Sequence, residues 1–90
     1  MKKLLNENAT ENLVLKAKAG DEKAFSVLMN LWFKRIYNYS LRYSNRESFA
    51  KEVTQQTFIQ VYQKIQQLED ASCFRAWLYR IATNCCHSEQ

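Results

Sequence analysis

The residue types best suited to chemistry gather in one short segment, residues 73–84, which read CFRAWLYRIATN. At the helical period of about 3.6 residues, Cys73, Trp77, Arg80 and Asn84 fall on one face, beside an apolar stripe. An indole ring stacks on bases, a guanidinium binds phosphate, and a side-chain amide reads the edge of a base. This mixture on one face indicates a helix that contacts nucleic acid rather than one that only packs.

Enzyme chemistry and metal binding find little support in the chain. His87 is the only histidine, and the sequence has no glycine-rich phosphate loop, paired catalytic carboxylates or metal-ligand spacing. Cys73 and Cys85 would lie about 18 Å apart along one helix, too far for a disulfide or a shared zinc ion. We therefore expect no enzyme activity, no metal and no cofactor, and we expect all three cysteines to be reduced.

Composition indicates a single helical domain. The 90 residues include one glycine and no proline, and 47% of them are hydrophobic, which disfavours sandwiches and barrels rich in turns. The net charge of +4 allows an anionic partner. Residues 1–46 hold nine basic and four acidic residues, whereas residues 47–90 hold four and five. The low charge near residues 73–84 disfavours a simple electrostatic clamp on duplex DNA. No apolar run approaches the roughly 20 residues that cross a bilayer, so we expect a cytoplasmic protein without membrane contact.

Hydrophobic periodicity predicts an all-α fold, a compact bundle of three to four helices. The predicted helices cover about residues 9–19, 22–43, 48–67 and 72–86. Residues 1–8 are predicted to be a flexible tail, and residues 9–90 the helical domain. Gly20 suits the C′ position of the first helix, Asp21 the N-cap of the second, and Ser72 the N-cap of the fourth.

The third predicted helix has a polar outward face with one apolar member, Ile59. The face comprises Glu52, Gln55, Gln56, Ile59 and Gln63. A single exposed isoleucine is common on protein surfaces, yet it is also what the centre of a docking surface requires. The residues alone leave both interpretations open.

Three segments, taken in order, resemble region 2 of the extracytoplasmic-function sigma factors, which direct bacterial RNA polymerase to promoters. Residues 20–25 (GDEKAF), followed by Leu28, resemble the entry to the family's first long helix. Residues 50–58 (AKEVTQQTF) resemble the family's AEDLVQETF, and residues 74–84 (FRAWLYRIATN) its FRAWLYRIAxN. The resemblance covers about residues 13–86 and implies a helical bundle of the sigma-factor region 2 type.

The resemblance also implies partners and site residues. The outward face of the third helix, with Ile59 at its centre, would dock on the β′ clamp of RNA polymerase. The loop after that helix and the fourth helix would capture flipped bases of the non-template strand of the promoter −10 element, helping to open it for transcription initiation. The DNA-binding residues implied are Lys64, Glu69, Asp70, Ala71, Ser72, Phe74, Arg75, Trp77, Tyr79, Arg80 and Asn84. An anti-sigma factor is a further partner that the resemblance suggests.

The chain departs from the family pattern in three places. Lys51 and Gln56 stand where acids are common, so the docking face is less acidic than usual. Residues 68–71 (LEDA) replace a loop that often has an aromatic residue, an arginine and a glycine, so base preference cannot be transferred. Nothing in these 90 residues corresponds to region 4, the second DNA-reading domain, so we expect an isolated or truncated region 2.

Two other functions fit the sequence less well. A helical module that binds polymerase or an anti-sigma factor without reading DNA would explain the altered loop and the weak charge around it. A fragment of a helix-turn-helix repressor ranks lower, because the sequence offers no tight turn before a basic recognition helix.

Overall fold

Four α-helices form a bundle in the computed structural model, which describes residues 7–89. They are α1 (Glu7–Lys18), α2 (Glu22–Leu41), α3 (Glu47–Lys64) and α4 (Phe74–Glu89). Short 3-10 turns at Ile65–Gln67 and Ala71–Cys73 lie between α3 and α4, and no strand occurs among residues 7–89. The predicted all-α bundle is confirmed. Residues 1–6 of the predicted tail lie outside the described residues, and Glu7 already belongs to α1.

The junction between α1 and α2 follows the sequence prediction. Gly20 has φ +100°, a left-handed conformation that favours glycine because it lacks a Cβ. The Gly20 amide donates to the Ala17 carbonyl at 3.0 Å and the Asp21 amide to the Lys16 carbonyl at 3.0 Å, the two bonds of a Schellman motif. The Asp21 carboxylate then accepts a 3.1 Å bond from the Ala24 amide and caps α2.

The core lies where α2, α3 and α4 meet. The predicted inner face of α3 is buried, with Val53 at 0% and Val61 at 1% exposure, and it belongs to the same hydrophobic cluster as Leu28 and Ile36 of α2. Fully burying one such aliphatic side chain stabilises the fold by about 1.5–3 kcal/mol. Two buried threonines of α3, Thr54 and Thr57, each donate a 2.7 Å hydrogen bond from the hydroxyl to the backbone carbonyl four residues earlier. Their burial therefore leaves no unpaired donor.

The segment between α3 and α4 is tied to the end of α1. Leu68 is buried at 6% exposure, and its carbonyl accepts a hydrogen bond from Lys18 Nζ. In return, Gln66 Nε2 donates to the Lys18 carbonyl at 2.5 Å. These bonds fix the start of the loop, so the chain enters α4 from a defined position beside α1.

Candidate nucleic-acid interface

The loop that leads into α4 is organised by one carboxylate, that of Asp70. Asp70 Oδ1 accepts hydrogen bonds from the Ser72 amide at 2.9 Å and the Ser72 hydroxyl at 2.7 Å. These bonds, the hydroxyl's first, hold the pKa of Asp70 below its usual value of 3.8. The predicted N-cap role of Ser72 is therefore wrong. Its hydroxyl donates to Asp70, a 3-10 turn follows, and α4 begins at Phe74.

Phe74 is a core residue, which corrects its assignment as a DNA contact. Its side chain is 1% exposed, and its ring lies 6.3 Å from that of Trp32 and 6.0 Å from that of Trp77. A ring enclosed in this way cannot reach a base in this conformation. It anchors the first turn of α4 in the core.

The remaining predicted residues of the loop and α4 lie at the surface to different degrees. Glu69, Asp70, Ser72, Arg75, Arg80 and Asn84 are exposed, whereas Ala71, Trp77 and Tyr79 are partly buried. The Tyr79 ring packs edge-on against Tyr39 at 5.0 Å and Trp32 at 6.3 Å. The aromatic residues of α4 therefore present only part of their rings to a ligand, whereas Arg75, Arg80 and Asn84 are exposed.

Asn84 is exposed on α4, whereas its neighbour in the chain, Cys85, is buried and contacts α3. Gln60 Nε2 lies 3.3 Å from the sulfur of Cys85, the neighbour of Asn84 in the chain. Lys64, which is exposed, donates to Gln60 Oε1 at 3.4 Å. Asn84 is ten residues from Phe74, about 15 Å along the helix axis. No described hydrogen bond joins Asn84 to residues 69–72.

A groove of about 680 Å³ runs between α2 and α4. Arg75, Ala76 and Tyr79 line one wall, and the other wall is formed by Arg35, Asn38, Tyr39 and Arg42. Sequence reasoning missed this second wall. The signal available was the spacing of Arg35, Asn38 and Arg42 at i, i+3 and i+7, which places them on one helical face.

The outward face of α3 continues into an apolar groove. Gln55, Ile59 and Gln63 are exposed, with Ile59 at 48%, whereas Glu52 and Gln56 are partly buried and joined by a 2.9 Å hydrogen bond. The groove, of about 450 Å³, lies between α2 and α3. Its lining includes Phe25, Met29, Phe33, Gln55, Phe58 and Ile59. Ile59 is therefore one edge of a larger apolar surface.

None of the three cysteines lines either of the two grooves. All three are free, with Cys73 exposed and Cys85 and Cys86 buried. Burial raises the pKa of both the Cys85 and the Cys86 thiol above the ordinary value, which favours the protonated form. In the stretch 7–89, no helix has the length and apolar character needed to cross a membrane.

The sequence is similar to bacterial sigma factors. The chain matches the Sigma-70 region 2 family over residues 28–89. It is 36% identical over 72 residues to the ECF RNA polymerase sigma-E factor of Haemophilus influenzae. This match covers 80% of the present chain and 38% of that protein. It is 31% identical over 81 residues to the RNA polymerase sigma-H factor of Pseudomonas aeruginosa, 90% of this chain and 42% of that protein. The chain thus spans about two fifths of the length of these relatives.

The fold is similar to an NMR structure of the complex formed by an engineered region 2 of sigmaE with GTAAAA. The TM-score is 0.81 at 28% sequence identity, and the match covers 98% of this chain and 88% of that one. The likeness confirms the predicted type of bundle over nearly the whole chain.

Proposed function

The chain belongs to the Sigma-70 region 2 family, and from that premise we propose that it recognises the −10 element of a promoter and helps to open it. One observation carries the proposal. The fold matches, over 98% of its length, an engineered sigmaE region 2 solved with GTAAAA, and α4 presents Arg75, Arg80 and Asn84 at its surface. The proposed activity is binding, without enzyme chemistry.

The proposed mechanism is capture of unstacked bases. A site that accepts only an extruded base binds the opened strand better than the duplex, so it shifts the population toward the opened state. Asn84 is proposed to contact a base edge, because its amide both donates and accepts and lies on an accessible face of α4. Lys64, Arg75 and Arg80 are proposed to contact phosphates.

Loop residues Glu69–Ser72 are proposed to border the captured strand. The Asp70 hydrogen bonds hold this turn in one conformation before any ligand arrives, which reduces the entropy lost on binding. The carboxylates of Glu69 and Asp70 repel phosphates, so the loop is suited to contact bases rather than backbone.

We also propose that the outward face of α3 docks on the β′ clamp of RNA polymerase. Ile59 at 48% exposure and Phe33 at 46% flank the apolar groove, and apolar surface of this kind is characteristic of protein interfaces. An anti-sigma factor that covers the same surface would compete with polymerase. We also propose that the domain acts in the cytoplasm.

A fluorescence anisotropy titration tests base capture. The probes are labelled single-stranded oligonucleotides that differ at one position at a time, so that base preference is measured directly. We expect Asn84→Ala to remove preference at one position, at a cost of about 1–3 kcal/mol for the preferred base. Asn30→Ala is the matched control, because Asn30 is an exposed asparagine on α2 outside both grooves. Equal preference in wild type and Asn84→Ala would refute base capture and favour a protein-interaction module.

A further inference from the structure

Resting on the function proposed above, we propose that the groove between α2 and α4 is a second nucleic-acid contact, which binds backbone phosphates through Arg35 and Arg42. Neither arginine belongs to the α4 face that is proposed to capture bases. The groove would hold the strand next to the captured bases and contribute affinity without sequence preference.

The first argument for phosphate binding is the charge of the groove. Three arginines line it without any acidic residue: Arg35 of α2, Arg42 at the C-cap of α2, and Arg75 of α4. The only acid in α2 is Glu22, in its first turn, and the only acid in α4 is Glu89, its last residue. None of the three guanidiniums forms an ion pair with a described residue. A cleft lined by unpaired charge of one sign concentrates the electrostatic field and attracts a polyanion.

The dimensions and rigidity of the groove suit a strand rather than a single small anion. Arg35 and Arg42, the C-cap residue with helical backbone angles, are seven residues apart, about 10 Å along the axis of α2. At roughly 3.4 Å of axial rise per phosphate on one strand, this distance corresponds to about three nucleotides. The Arg35 guanidinium already lies over the Trp32 ring, 5.5 Å from its centroid, so less side-chain freedom is lost when a phosphate binds.

The rest of the lining favours nucleic acid over an acidic protein segment. Tyr39 and Tyr79, from the two walls, form a packed aromatic pair, since their rings lie 5.0 Å apart and the Tyr39 hydroxyl lies 2.6 Å from that of Thr83. Aromatic side chains in a basic groove are the combination used by single-strand binding sites. Arg75 and Tyr79 also belong to the proposed DNA face of α4, so the groove and that face form one continuous surface.

The test compares the salt dependence of binding in two charge-matched double variants. Arg35→Gln/Arg42→Gln removes two charges from the groove, and Lys23→Gln/Lys34→Gln removes two exposed charges from α2 outside the grooves. We expect the groove variant to lower the slope of log K against log salt by about 1.4 for a single strand or about 1.8 for a duplex, from 0.7 or 0.9 per contact. At 0.1 M salt this corresponds to binding that is roughly 25-fold or 60-fold weaker. The lysine variant should bind as wild type does.

The outcomes separate this inference from base capture. Arg35→Gln/Arg42→Gln should weaken binding to preferred and scrambled oligonucleotides equally, whereas Asn84→Ala should affect the preferred one alone. Arg35→Lys/Arg42→Lys, which keeps both charges, should keep the slope. An unchanged slope in the glutamine variant with a normal melting curve would overturn the groove while leaving base capture standing. Equal competition by polyglutamate of matched charge would also overturn it, because the groove would then accept acidic polypeptide as readily as DNA.

Discussion

Two neighbouring residues at the start of α4 should have opposite roles. Phe74 is 1% exposed and packs on Trp32, whereas Arg75 is exposed and faces the groove between α2 and α4. We expect Phe74→Leu to lower the stability of the fold and leave DNA affinity intact in the folded protein. We expect Arg75→Gln to do the reverse.

The magnitudes follow from the contacts. Phe74→Leu conserves a buried apolar side chain, a change that costs less than about 1.5 kcal/mol, but it removes ring contacts worth about 0.5–1.5 kcal/mol each. With two such ring contacts, the free energy of unfolding should therefore fall by about 1–4 kcal/mol, and Tm by roughly 5–30 °C for a domain of this size. Arg75→Gln should change stability by less than about 0.5 kcal/mol and lower the salt slope of single-strand binding by about 0.7.

Urea denaturation followed by circular dichroism measures the first quantity, and anisotropy at several salt concentrations measures the second. Binding is recorded at about 10 °C, where Phe74→Leu should remain folded. Weaker DNA binding by Phe74→Leu with an unchanged Tm would refute the assignment of Phe74 to the core. A loss of stability of more than about 1 kcal/mol in Arg75→Gln would refute the assignment of Arg75 to the surface.

Three further changes test other parts of the structure. Ile59→Asp should abolish binding to a recombinant β′ clamp fragment without lowering Tm. The control is Leu15→Asp, at a 55% exposed position on α1, which should bind normally. If Ile59→Asp still binds, the proposed docking surface is wrong. Thr83→Val should lower the free energy of unfolding by about 0.5–1.5 kcal/mol in urea, because the Tyr39 hydroxyl loses its 2.6 Å partner; no change would mean that this bond contributes nothing. Hydrogen bonding lowers the native pKa of Asp70 below 3.8, so its contribution to stability is complete above that pH and is lost as pH falls through the native pKa. Asp70→Asn should therefore show a shallower loss of stability than wild type below about pH 4, and identical pH profiles would contradict the role of the carboxylate.

Features set by local chemistry could be predicted from the sequence. The Gly20–Asp21 junction depends on one left-handed residue and one short carboxylate, and both act within a few residues of their own position. The inner face of α3 could also be predicted, because a periodic apolar stripe on a long helix has only one way to be buried. The exposure of Ile59 follows from the same periodicity.

Features that depend on which elements meet could not be predicted. Asp70 and Ser72 are both good capping residues, and the sequence did not show which of them would accept the hydrogen bonds; in the structure Asp70 accepts from Ser72. The periodicity placed Phe74 on an apolar face, but the family resemblance assigned it to DNA, and its burial under Trp32 settles its position. Arg35 and Arg42 acquire a common role only when α2 and α4 are placed side by side.

The central claim is that α4 and the loop before it bind an opened promoter strand. The most direct measurement is an NMR titration of the ¹⁵N-labelled domain with the single-stranded oligonucleotide that the anisotropy scan ranks highest. We predict that the largest amide shifts occur in residues 69–84, with smaller shifts at the groove residues of α2 and none on the outward face of α3. The claim would be contradicted if the amide shifts were confined to the outward face of α3. It would also be contradicted if binding saturated without shifting any amide in residues 69–84.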